Sequence, residues 1–112
     1  MAREDEGEEK VSGRAGYVLE GSVLRVSGKL DAAEEEEFRR QGLALAEAGG
    51  GTVVLDLSGV SYIASSCLGA ILILHEELAA RDRRLKVLLP RALLYVYDLM
   101  GIRNVVETEV VT

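Results

Sequence analysis

The sequence is poor in the side chains that most often carry catalysis or bind metals. Its 112 residues include one cysteine (Cys67), one histidine (His75), one proline and no tryptophan. A single cysteine excludes an internal disulfide framework and a zinc site built from cysteines, and a single histidine excludes a histidine cluster. The composition therefore predicts no metal and no other cofactor. The lack of disulfides favours a reducing compartment.

Long apolar runs and excess positive charge are also missing. No apolar segment approaches the roughly 18–20 residues of a membrane-spanning helix, and the N-terminus MAREDEGEEK is too acidic for a signal peptide. Lys and Arg number 13 against 19 Asp and Glu, a net charge of −6. This balance argues against nucleic acid as a partner, because such binding depends on neutralising phosphates. We predict a soluble, cytoplasmic protein that does not insert into a membrane.

The sequence does contain enough aliphatic residues for one hydrophobic core. Apolar residues make up 48% of the chain and aromatic residues only 4%, so the core must consist of Leu, Val, Ile and Ala. Residues 1–10 carry two basic and five acidic side chains, which is half of the net charge. We predict that residues 1–16 form a disordered acidic arm, simply a solubilising tail, and that residues 17–112 form one domain.

Hydrophobic periodicity and turn residues predict alternating strands and helices from Tyr17 onward. The predicted strands are Tyr17–Leu19, Val23–Ser27, Thr52–Leu57, Leu85–Leu89 and Val105–Val106, and Val60–Ala64 is a further short apolar stretch. The predicted helices are Asp31–Ala48 with Asp31 as the N-cap, Ser65–Arg81, and Arg91–Met100 with Gly101 ending it. The order ββαβαβαβ predicts an α/β fold with a mixed sheet, parallel wherever a helix connects two strands.

Glycines mark two of the predicted connections. Gly49–Gly51 precede a strand and lack the Lys-Ser/Thr of a phosphate loop, so we interpret them as a helix terminator. Ser58-Gly59 is predicted to be a turn. The strand before it, Thr52–Leu57, is almost unbroken in its apolar character, which is typical of a strand buried on both faces.

The polar groups outside the serine-containing segment do not predict catalysis. Cys67 and His75 lie eight residues apart on one predicted helix, so about 12 Å of helical rise separates them. We interpret His75 as a packed or boundary residue and Cys67 as a small packing residue. The basic residues that follow this helix are either a solvated turn or a contact for an anionic partner: Arg81, Arg83, Arg84 and Lys86.

Two serines stand where the central helix is predicted to begin. Ser65 or Ser66 as N-cap would accept a hydrogen bond from a free N–H of the first turn. A hydroxyl at this position is also a favourable place for a phosphate, because the N–H groups and the helix dipole favour an anion. The sequence therefore leaves simple capping and phosphorylation as alternatives.

The same helix is almost uncharged in the two turns after the serines. A helical projection places Ala70 and Ile73 opposite the core stripe and Leu74 at its border. An apolar outer face of this kind is a candidate docking surface. The predicted core stripe consists of Leu68, Ile71, Leu72, His75, Leu78 and Ala79. The predicted partner-binding residues are Ser65, Ser66, Cys67, Gly69, Ala70, Ile73 and Leu74.

Four segments in this order resemble the STAS domain of the anti-sigma factor antagonists. They are the strand Val23–Asp31, which ends in Gly-Lys-Leu-Asp, the strand Val53–Val60, the serine-bearing helix start, and the closing segment Pro90–Ile102. The resemblance covers about Val23 to Val106. It implies a mixed sheet of four or five strands with helices on one side. It also implies a non-enzymatic protein that binds a serine kinase anti-sigma factor. The sequence leaves open whether the protein forms a homo-oligomer.

The family motif D-S-[ST]-G-L-G implies that Ser65 is the phosphorylated serine, with Leu68-Gly69 matching the end of the motif. The sequence departs from the motif at two positions, with Ala64 in place of Asp and Cys67 in place of Gly. A kinase that uses the Asp for positioning would phosphorylate Ser65 poorly, and the Cys would fill space where a partner backbone approaches. The alternative is a STAS subunit that is not phosphorylated, acting as a scaffold in a sensory complex or as a transporter regulator.

Overall fold

The computed structural model describes residues 9–12, 15–48 and 50–112, in which three strands are followed by alternating helices and strands. The strands are β1 (Glu9–Ser12), β2 (Ala15–Glu20), β3 (Val23–Leu30), β4 (Thr52–Ile63), β5 (Arg84–Pro90) and β6 (Glu107–Val111). The α-helices are α1 (Glu35–Ala48), α2 (Ser65–Ala79) and α3 (Leu94–Leu99). Short 3-10 turns at Ala32–Glu34 and Arg91–Leu93 precede α1 and α3.

The strands form one mixed sheet in the order β1-β2-β3-β4-β5-β6. The first three strands pair antiparallel, and β3 to β6 pair parallel. The predicted mixed α/β fold is thus confirmed, and with β1 the described sheet has six strands where four or five were expected. The prediction of a disordered arm is wrong for Glu9–Ser12, which add an edge strand to the sheet, and β2 begins at Ala15. The rest of the predicted arm, residues 1–8 and 13–14, lies outside the described residues.

The helices cover one face of the sheet only. Alternate residues of the central strands are buried, including Leu55 and Leu57 of β4. Val54 and Asp56, which point to the opposite face, are only half-buried. The prediction that this strand is buried on both faces is therefore wrong. An apolar side chain does not by itself bring a second layer of helices to a sheet.

Strand β4 continues through the predicted Ser58-Gly59 turn. Asp56 pairs with Arg25 and Gly59 with Ser27, so β4 has one residue more than β3 between these pairs. Such a bulge interrupts the alternation of buried and exposed residues without ending the strand. A Cβ atom on Gly59 would lie 3.2 Å from Ser27 Cβ, so the glycine permits this close approach of the two strands.

A buried hydrogen bond connects β2 to the entry of α1. The Tyr17 hydroxyl donates to Glu34 Oε1 at 2.9 Å, and both residues are buried. Burial, followed by the hydrogen bond to Glu34, raises the pKa of Tyr17, so the phenol stays protonated. Asp31 precedes the 3-10 turn in the predicted N-cap position. The Tyr17–Glu34 hydrogen bond holds the 3-10 turn Ala32–Glu34, which contacts α2.

Helix α2 ends two residues before the predicted boundary, in a Schellman motif. The N–H groups of Asp82 and Arg83 donate to the carbonyl oxygens of Ala79 and Leu78 at 3.0 and 2.8 Å. Asp82 adopts a left-handed φ of 58°, a conformation that glycine most often provides at this position. The Arg83 guanidinium donates to the carbonyl oxygen of Ala46 near the end of α1. Arg83 is thus half-buried against α1 and not part of a solvated turn.

The C-terminal segment closes the sheet on the β5 side. Gly101 has a φ of 71°, which confirms its predicted role after the helix. The last strand lies at Glu107–Val111 and not at the predicted Val105–Val106, because Val106 packs into the core. The Tyr97 hydroxyl and Thr108 Oγ1 are 2.8 Å apart, which connects α3 to this strand.

Candidate functional site

Helix α2 begins at the edge of the sheet where the parallel strands end. Ala64 is the N-cap, with an extended backbone, and its N–H donates to the Leu30 carbonyl at 2.8 Å. Its carbonyl accepts the N–H groups of Cys67 and Leu68 at 3.0 and 3.1 Å. The prediction that a serine caps this helix is therefore wrong, because the chain is still extended at Ala64.

The two serines occupy the first two helical positions and differ in accessibility. Ser65 is exposed to solvent. Ser66 is half-buried, and its hydroxyl oxygen is shielded from solvent. The first N–H groups of an α-helix have no acceptor within the helix, and no acidic residue lies in the first turn of α2. Ser65 is therefore the hydroxyl that an enzyme can reach and where an attached anion would be favoured.

Cys67 lies in the interior and does not contribute to the surface. Its side chain is fully buried, and the Sγ–H donates to the carbonyl oxygen of Asp31 at 3.6 Å. Burial, and next the charge of Glu35, raise the pKa of the thiol to about 11. This confirms Cys67 as a packing residue and corrects its assignment to the partner-binding surface. A thiol with a raised pKa is also unsuited to redox sensing.

Two further predicted contact residues are buried between the helices. Ala70 is 6% exposed and Leu74 is 8% exposed. The Leu74 side chain packs against Gly42 of α1, where an added Cβ atom would lie 3.4 Å from it. The helical projection placed Ala70 outward and Leu74 at the border of the core stripe because it located the sheet but not α1. Ile73, at 47% exposure, lies outside this contact as predicted.

The accessible surface of α2 is therefore a narrower stripe than the sequence suggested. It runs from exposed Ser65 past half-exposed Gly69 and Leu72 to Ile73. Leu72 and Ala79 were predicted to lie in the core stripe, but Leu72 borders the solvent and Ala79 is exposed. His75 is half-buried, in agreement with a boundary residue.

A groove of about 460 Å³ lies between α1 and α2 on the surface beside this stripe. Its most exposed apolar residue on α1 is Leu43, at 46% exposure, which the sequence analysis did not identify. The sequence carried a signal for it, because Leu43 is out of phase with buried Phe38 and Leu45 on the same helix. The groove is lined by Glu36, Arg39, Arg40, Leu43, Ala70, Ile73, Leu74 and Glu77.

The charges near the start of α2 come mainly from α1. Arg39 pairs with Glu35 at 3.4 Å, and Arg40 pairs with Glu37. These basic side chains are thus engaged by carboxylates of their own helix. Within the described residues no cluster of His, Cys, Asp and Glu could hold a metal ion. The helices described there also include none long and apolar enough to cross a membrane.

Comparisons with known proteins agree with this architecture. The family model described as "Mlab, STAS domain" matches residues 16–107. A protein proposed to be an anti-sigma factor antagonist, from Thermotoga maritima, is 20% identical with a TM-score of 0.68, over 86% of this chain and 85% of that chain. Unphosphorylated SpoIIAA, an anti-sigma factor antagonist, is 18% identical with a TM-score of 0.61, over 93% and 87%. At these identities the structural matches show the fold alone. A search of curated proteins finds no match.

Proposed function

Since the chain belongs to the STAS domain family, we propose that it is a non-enzymatic anti-sigma factor antagonist that binds a serine kinase anti-sigma factor. The proposed contact surface is the stripe from Ser65 to Ile73 on α2, together with Leu43 of α1. Phosphorylation of Ser65 would release the partner. The proposal places the protein in the cytoplasm, where sigma factors act.

The observation that carries this proposal is the position of Ser65. Ser65 is exposed at the first residue of α2 and lies on the same face of the helix as the partly exposed Leu72 and Ile73. A phosphate there adds about 1.5–2 negative charges. Covering that charge with a partner's surface requires its desolvation, which is costly without a matching cation. We expect the phosphate to leave the fold unchanged, because the start of a helix favours an anion.

Phosphate transfer tests the proposal directly. The purified protein would be incubated with its cognate anti-sigma kinase and ATP, and the peptide covering residues 63–74 examined by mass spectrometry. We expect a single phosphate on Ser65. Ser65→Ala should abolish its incorporation, whereas Ser66→Ala, the matched control, should retain it because the Ser66 hydroxyl is shielded. Phosphate on Ser66 in the unmodified protein would contradict the assignment.

Binding measurements test the gating step separately. We expect Ser65→Ala to keep the affinity of the unmodified protein for the kinase. We expect Ser65→Asp to weaken it, because it places a charge at the same position. Unchanged affinity of the aspartate variant and of the phosphorylated protein would show that Ser65 does not control docking.

A second candidate function is favoured by Ala64. The residue before Ser65 carries no carboxylate to help position a kinase, and the N-cap is formed by backbone alone. In this candidate the protein is a STAS subunit that is not phosphorylated, either a scaffold in a sensory complex or a regulator of a transporter. Binding to a partner without any phosphate incorporation would favour this function over the first.

A further inference from the structure

Helix α3 and the 3-10 turn before it present an apolar face to solvent. Leu93 and Tyr97, one helical turn apart, are buried on the inner face. On the outer face Tyr95 is 77% exposed and Leu99 is 67% exposed, which makes them the most exposed large apolar side chains of the described residues. Ala92 is also exposed. Because residues at i, i+3 and i+7 share one face of a helix, Ala92, Tyr95 and Leu99 form one surface, here called the α3 patch.

The two ends of the α3 patch differ in charge and in side-chain size. Arg91 is exposed beside Ala92 and makes no salt bridge within the described residues. Asp98, beside Leu99, accepts two N–H groups of Arg103 at 2.8 Å. These bonds orient the carboxylate and leave it lone pairs for a further donor. One end of the patch is therefore small and basic, and the other is bulky and acidic.

We infer that the α3 patch binds the same patch of a second copy of this chain, with the two helices antiparallel and Tyr95 near the two-fold axis. A two-fold axis makes every contact occur twice. Arg91 then lies beside Asp98 of the second copy, so opposite charges meet. Ala92 lies beside Leu99 of the second copy, so a small side chain accommodates a large one. A parallel pair would instead bring like charges together at both ends, which is why the pattern fits its own reversed copy.

The size of the α3 patch predicts a weak, reversible dimer. An aromatic side chain offers about 150–250 Å² of surface, so the exposed part of Tyr95 is roughly 120–190 Å². With Leu99 and Ala92 the patch is on the order of 300 Å² in each copy, a size that is often functional. Two such patches and their charged rim bury less than about 1,200 Å², as transient signalling contacts do. The patch lies on α3, whereas the proposed kinase surface lies on α2 and α1, so the inference is independent of the proposed function.

Sedimentation velocity of the full chain tests the inference. We expect the weight-average mass to rise from that of one chain toward that of two as the protein concentration is raised. Tyr95→Ser and Leu99→Ser should each raise the Kd of dimerisation at least about tenfold, because the anchor is lost from both copies. Tyr62→Ser is the matched control, since it removes another exposed tyrosine, on β4, and should leave the Kd unchanged. Arg91→Glu should raise the Kd about 3–10-fold, because the new carboxylate would face Asp98 of the second copy.

Disulfide trapping tests the antiparallel orientation. Chains with Ala92→Cys would be mixed with tagged chains with Leu99→Cys and oxidised, while Cys67 stays unreactive because it is buried and its pKa is raised. We expect the disulfide between the two different chains to predominate. Two copies of position 92 would lie about 9 Å apart along the helix axis, beyond the Cα separation of about 4.4–6.8 Å that a disulfide allows.

Three results would overturn the inference: a chain that stays monomeric at every concentration, a Tyr95→Ser variant that dimerises as well as the unmodified chain, or a predominance of disulfides between identical chains. Weaker binding of the anti-sigma kinase by Tyr95→Ser, with no dimer of the unmodified chain, would also overturn it and would assign the α3 patch to that partner.

Discussion

Truncation of Ile73 tests whether the exposed stripe of α2 binds the partner. Complete burial of an isoleucine side chain contributes about 1.5–3 kcal/mol relative to its exposed state. Ile73 is 47% exposed, so burial of this exposed part against a partner would contribute about 0.7–1.4 kcal/mol to binding. Most of this gain disappears in Ile73→Ala. We therefore expect the Kd for the cognate anti-sigma kinase to rise about 3–10-fold, measured by isothermal titration calorimetry.

The neighbouring residue provides the matched control. Leu74 is 8% exposed and packs against α1 at Gly42. Leu74→Ala should lower the free energy of unfolding by about 2–5 kcal/mol. Ile73→Ala should lower it much less, because only part of its side chain is buried. An unchanged Kd for folded Ile73→Ala would refute the docking surface, and equal losses of stability in both variants would refute the assignment of their environments.

Three further predictions concern the fold around the site. Asp82→Gly should raise the free energy of unfolding by up to about 1 kcal/mol in urea denaturation, because Asp82 has a φ of 58° that costs an L-residue strain; Asp82→Ala should bring no gain. Gly59→Ala should lower it by about 1 kcal/mol, because the new methyl would lie 3.2 Å from Ser27 Cβ; a stability equal to that of the unmodified protein would contradict this. The Cys67 thiol, with its pKa raised to about 11, should react with iodoacetamide far more slowly at pH 8 in the folded than in the urea-unfolded protein. Because the folded pKa of the thiol lies above its unfolded pKa, burial of the neutral thiol contributes its full share of the free energy of unfolding below about pH 9. This contribution is lost as the pH rises through 11. Equal alkylation rates in the folded and unfolded protein would contradict the burial of Cys67.

Local sequence patterns predicted the phase of α2 but not its neighbours. Leu68, Ile71 and Leu78 were assigned to the core and are fully buried. Ala70 was assigned outward and Leu74 to the border of the core stripe because periodicity reveals one apolar stripe, whereas α2 is packed against both the sheet and α1. A second contact of this kind depends on where another helix lies, and no residue of α2 encodes that position by itself.

The strand pattern failed where the backbone departs from strict alternation. Ser58-Gly59 has the composition of a turn, yet β4 passes through it because the adjacent strand β3 continues to supply partners. A bulge and a turn use the same residue types, and only long-range pairing distinguishes them. The serines lie in the first helical turn, and not at the predicted cap position, for a related reason. Ala64 remains extended because its N–H bonds to Leu30 of the neighbouring strand.

The location of Ser65 limits how phosphorylation could control binding. A modification shifts an equilibrium only to the extent that the free and bound states interact with it differently. In the free protein a phosphate on Ser65 would be hydrated and favoured by the helix start. Docking of a partner on Leu72 and Ile73 would remove that hydration, so the lost solvation of the phosphate opposes the complex. Aspartate carries one charge and not nearly two. Ser65→Asp should therefore weaken binding less than the phosphate does, and an equal or larger effect would mean that the substitution disturbs the helix start itself.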